Sequence, residues 1–149
     1  MLRLKTFLQL ALVTVPTLHV QAPATQASVL ILVLDGKTGE PIPDHRLLIF
    51  GGDSREKLHV HQMHFELTTD KQGQAVLDLS NRDVAFVQVW VDDMMLCQSK
   101  PNLQEFDIAL IDRSGLSAPN TCGKVNEPAK PKMMTIYARH PTVLERMKR

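Results

Sequence analysis

Short apolar segments separated by turn formers dominate the sequence, and they constrain the fold most. Ser28–Asp35 (SVLILVLD) is β-branched and apolar, and Gly36 with the run to Pro43 stops it. His45–Phe50 ends at Gly51-Gly52-Asp53-Ser54. Leu58–Thr69 alternates with period two, Asp70-Lys71-Gln72-Gly73 reads as a turn, and Ala75–Leu79 returns. That spacing predicts a hairpin. Ala85–Val91 (AFVQVWV) is apolar on both faces and predicts a central strand. Met94–Gln98, Glu105–Ile111 and Met133–Arg139 complete the series. Helical periodicity is nearly lacking. Such a chain buries its alternating faces by stacking two sheets, which predicts an all-β sandwich of about seven strands.

Size fits this expectation once the start of the chain is set aside. Residues 1–27 run from basic Arg3 and Lys5 through an apolar stretch, Phe7–Leu18, to the small residues Ala22-Pro23-Ala24 and Thr25-Gln26-Ala27. That order predicts a secretory signal peptide cleaved after Ala24 or Ala27. The alternative is a retained anchor, against which the apolar run falls short of the ~20 residues a span needs. Residues 28–140 would then form the sandwich, of immunoglobulin-like size, and 141–149 a flexible basic tail. Of 17 basic residues, Arg3 and Lys5 leave with the leader, so 15 face 16 acidic ones and the remaining net charge is −1. That balance gives no electrostatic footprint for nucleic acid. No later segment is long enough to cross a membrane as a helix.

Cys97 and Cys122 are the only cysteines. In an exported chain they predict one disulfide, and they lack the CxxC spacing of a redox motif. They bracket turn formers such as Pro101, Gly115 and Pro119, and Cys122 sits inside the long irregular run Asp112–Lys132. Loops that long are uncommon in compact domains, so the bond is expected to tie this one to the sheet.

Two stretches carry a resemblance. Val33-Leu34-Asp35-Gly36-Lys37-Thr38-Gly39-Glu40-Pro41-Ile42-Pro43 and Leu67-Thr68-Thr69-Asp70-Lys71-Gln72-Gly73-Gln74-Ala75 resemble the markers of carboxypeptidase regulatory-like domains, within the transthyretin-like group of seven-stranded sandwiches. With the strands they join, they span about a third of the chain after the leader. Physically, Gly36, Gly39 and Gly73 are positions expected to take positive φ, and Pro41 presets its own. The resemblance implies a non-catalytic module, with roles in folding, adhesion or ligand contact, and it transfers no functional residues. Two enzyme relatives of the same broad fold do not fit. The chain lacks the Tyr-Arg-Gly-Ser ending of hydroxyisourate hydrolases, and Tyr137 is its only tyrosine where intradiol dioxygenases use two as iron ligands.

The chemistry-bearing cluster is His59-Val60-His61-Gln62-Met63-His64. On a strand, His59 and His61 share a face about 6–7 Å apart, an arrangement suited to two imidazole ligands. His64 faces away unless a bulge intervenes, and His45 is a candidate from the neighbouring strand. Met63, Met94, Met95, Met133 and Met134 offer soft thioethers for copper(I), or simply packing. Asp35, Asp44, Asp53 and Asp70 fall in turns, where carboxylates bond the local backbone. No GxSxG or HExxH is present. Two readings follow. The first is an exported, non-catalytic binding module without a cofactor, meeting a protein or glycan partner in the cell envelope through its end loops or an edge strand. The alternative is copper or zinc binding through the His/Met cluster. A hydrolase with an unrecognised site is the weaker enzyme reading.

Overall fold

The computed structural model describes residues 28–58, 63–98 and 105–147. They form an all-β sandwich. Its elements are β1 (Ser28–Asp35), β2 (Arg46–Gly52), α1 (Arg55–Leu58), β3 (Met63–Thr68), β4 (Gln74–Asp78), β5 (Phe86–Val91), β6 (Met95–Leu96), β7 (Glu105–Asp107), α2 (Ile108–Ser114), β8 (Leu116–Ser117), β9 (Met133–Arg139) and α3 (Val143–Arg146). Seven strands have three or more residues, and β6 and β8 have two each.

One sheet has the order β4-β1-β9-β6, with β8 also on β9, and the other β3-β2-β5-β7. β1 and β9, far apart in the chain, run parallel from Leu30 opposite Met133 to Asp35 opposite Ala138. Alternation then drives the packing. Val29, Ile31 and Val33 of β1 and Met134 and Ile136 of β9 point inward, against Leu47 and Ile49 of β2 and Val87 and Val89 of β5; all are fully buried.

The expected hairpin of Leu58–Thr69 with Ala75–Leu79 is not formed. β3 pairs with β2, and β4 pairs with β1 in the other sheet. The Asp70–Gly73 turn therefore carries the chain across the sandwich. Period two fits either arrangement, because Phe65 and Leu67 and, opposite them, Ala75 and Leu77 face the same core in both. Thr69 fixes the crossing: its hydroxyl donates to the Ile42 carbonyl at 2.8 Å and accepts the His45 amide at 2.9 Å.

Glu105–Ile111, read as one strand, breaks at Asp107. The Asp107 carboxylate accepts the Leu110 amide at 3.1 Å and caps α2, which buries Ile108 and Ile111 one turn apart and ends at Gly115 (φ 74°). A carboxylate cap has overridden the alternating pattern.

β5 is an inner strand, as expected, but its outer face meets solvent, with Trp90 49% exposed. The strand buried on both faces is β9. Its outward Tyr137 joins Leu34 and Cys97 in a second small core, with Leu32, Cys122 and Val125 packed against it. The irregular segment after β8 thus lies over the outer face of the β1/β9 sheet. It is held there by the Cys97–Cys122 disulfide, by Asn120 donating to the carbonyls of Gly36 and Val125 (2.8 Å each), and by the Glu127 amide donating to the Tyr137 hydroxyl.

Candidate functional site

Loops converge at the end of the sandwich where β1 and β9 finish. Asp35 closes β1, and its Oδ1 accepts the amides of Lys37 (2.8 Å) and Thr38 (2.9 Å). The Thr38 amide bond is the main reason its carboxyl is held below the usual range. Gly39 takes φ 76°, as expected. Gly36 is not among the positive-φ glycines, and a different constraint acts on it. A Cβ there would lie 2.5 Å from Cys97 Sγ and 2.8 Å from Cys122 Cβ, so glycine is what lets the disulfide approach β1.

Arg139 closes β9. Both its terminal nitrogens reach Glu145, at 2.8 and 2.7 Å, and Glu145 also accepts the Thr142 amide in a capping box that starts α3. The Arg139 guanidinium and the Thr142 donors hold the Glu145 carboxyl well below the usual carboxylate range, and the same pairing raises Arg139.

Between these elements opens a cleft of about 450 Å³ lined by Asp35, Lys37, Thr121, Cys122, Arg139, His140 and Thr142. Asp35 is engaged by its own turn and Arg139 by Glu145. Thr142 is likewise tied to Glu145 through its hydroxyl and its amide, so the polar surface offered to a ligand comes from the Lys37 ammonium, the His140 imidazole and the Thr121 hydroxyl.

Of the histidines named from the sequence, the two that are described, His45 and His64, lie apart. His59 and His61 lie outside the described residues. His64 sits opposite Phe50 on the outward face of β3, whereas His45 precedes β2 at the other end of the same ladder, roughly 16 Å away at about 3.3 Å per residue. His45 instead meets His140, which sequence reasoning did not single out; their ring centres are 6.1 Å apart. Among the described residues, no three His, Cys, Asp or Glu side chains group as a metal site. Met94 and Met134 are buried in the core. Asp92 accepts the amide of Asp93, which turns the chain at φ 54°. Asp70 caps its turn by accepting the amides of Gln72 and Gln74.

The cleft residues were hard to foresee. The Thr142–Glu145 spacing is a legible capping box. That it lies beside Asp35 and Lys37 follows only from the parallel β1–β9 pairing. No protein-family model, curated protein or solved structure matches the chain, so the cleft is read from its own chemistry.

Proposed function

We propose that this protein is an exported, non-catalytic β-sandwich module of the carboxypeptidase regulatory-like type, which binds a protein or glycan partner in the cell envelope through its disulfide-stapled end. The observation that carries this reading is the open cleft, whose loops are fixed before any ligand arrives: Asp35, Asn120 and the Cys97–Cys122 bond hold three separate segments together. Preorganised loops lose little entropy on binding. Lys37 and Thr121 supply donors at the rim, while Asp35, Arg139 and Thr142 are engaged in bonds within the protein. That distribution suits contact more than turnover. A disulfide suits an oxidising compartment, and the leader-like residues 1–27 suggest how the chain reaches it. Among the described residues, no helix is long and apolar enough to cross a membrane.

Site-specific photo-crosslinking in the native envelope tests this. A crosslinker at Thr121, on the cleft, is expected to give a discrete adduct. One at Asp78, at the opposite end of β4, is expected to give none. Adducts from Asp78 alone, or from neither position, would refute the assignment of the working surface.

A further inference from the structure

We infer that His45 and His140 form a two-imidazole site for a divalent transition metal ion, copper(II) most tightly and zinc less so. The two residues are 95 positions apart in sequence, and the fold brings their rings to 6.1 Å between centres with planes at 60°. An imidazole-bound metal lies about 2.0–2.1 Å from its ligating nitrogen. Two rings sharing one ion therefore have centres roughly 5–6 Å apart, depending on the angle at the metal. The observed 6.1 Å stands at the upper end of that span.

His45 is also prepared for the role. Its Nδ1 lies 2.8 Å from the Pro43 carbonyl. A carbonyl only accepts, so in the neutral ring Nδ1 carries the proton and Nε2 keeps the lone pair. An imidazole N–H donated to a carbonyl is the usual outer support of a metal-bound histidine. The backbone of His45 is pinned as well, its amide donating to the Thr69 hydroxyl and its carbonyl accepting the Thr69 amide, both at 2.9 Å. His140 is exposed and His45 half-buried, so an ion reaches them from solvent. The neighbouring Arg139 would repel a cation, but Glu145 pairs with both its terminal nitrogens. With only two protein ligands, water completes the coordination. Imidazole nitrogen favours copper(II) over zinc in the usual divalent order. The pair shares His45 with the cluster named from the sequence but replaces its other members by His140, it lies at the other end of the β2–β3 ladder from His64, and it does not depend on the partner-binding reading.

The test titrates tag-free, disulfide-intact protein with copper(II) chloride and, separately, zinc chloride in a non-chelating buffer. Calorimetry is expected to show one ion per chain, with a rise in Tm that EDTA reverses. His45→Gln and His140→Gln are each expected to weaken binding about tenfold or more, while His64→Gln leaves it unchanged. Paramagnetic resonance of the copper(II) complex is expected to show coupling to two imidazole nitrogens, a readout on wild-type protein that does not depend on the variants folding. No binding by wild type overturns the proposal. So does binding that survives both substitutions, or that is lost on changing His59, His61 or His64 instead.

Discussion

Replacing Cys97 and Cys122 together by alanine puts a magnitude on the covalent support of this small fold. The bond spans 25 residues, and the chain-entropy relation for a loop of that length gives about 3.5 kcal/mol of stabilisation at 25 °C. That is a large share of the roughly 5–15 kcal/mol that typical domains possess. The bond also holds the segment that covers Leu34 and Tyr137, both nearly inaccessible to solvent (4% and 1%). With a urea m-value of roughly 1.5 kcal/mol/M, the unfolding midpoint followed by circular dichroism is expected to fall by about 2 M. Native-state amide exchange adds the location. The Thr121 amide, bonded to the Cys97 carbonyl, and the Ala118 amide, bonded to Thr135, are expected to lose protection first. A midpoint shift under about 0.5 M with an unchanged m-value would refute the entropic reasoning. Lost protection at Thr121 beside an unmoved midpoint would mean that the bond only fastens a surface segment.

Two further perturbations probe the turns. Gly73 sits at φ 71°, and a Cβ there would lie 2.6 Å from the Val33 carbonyl, so Gly73→Ala is expected to cost about 2–3 kcal/mol by urea denaturation; a loss below about 0.5 kcal/mol would show that the crossing turn relaxes. Glu145 has a depressed carboxyl pKa, so the stability it adds is present above its ordinary value of 4.5 and is lost as the pH falls through the lower folded value. Amide protection across α3 is therefore expected to decay in acid in the wild type and to be weak and pH-independent in Glu145→Gln; equal protection in both proteins at neutral pH would sink this account.

The strands were legible because their signal is local. Short apolar, β-branched runs at Ser28–Asp35 and Ala85–Val91, and the one-sided Met134, Ile136 and Ala138 of Met133–Arg139, need no knowledge of partners, and the turn glycines Gly39 and Gly73 announce themselves beside Asp35 and Asp70. Glu105–Ile111 misled for a local reason too: three alternating apolar residues carry less weight than one carboxylate placed to cap a helix. The sequence presents Gly36 as a conformational glycine, whereas it makes room for the Sγ of Cys97 and the Cβ of Cys122, both far along the chain.

By itself the sequence determined which segments are extended, that two cysteines have only each other to bond, and that alternating faces require two stacked sheets. Tertiary structure alone decided the partners. β3 and β4 separate into different sheets because period-two alternation satisfies either pairing, and the parallel β1–β9 contact joins residues a hundred positions apart. The cleft and the His45–His140 pair arise from those non-local pairings, since loops become neighbours only after the strands that carry them have been ordered in a sheet.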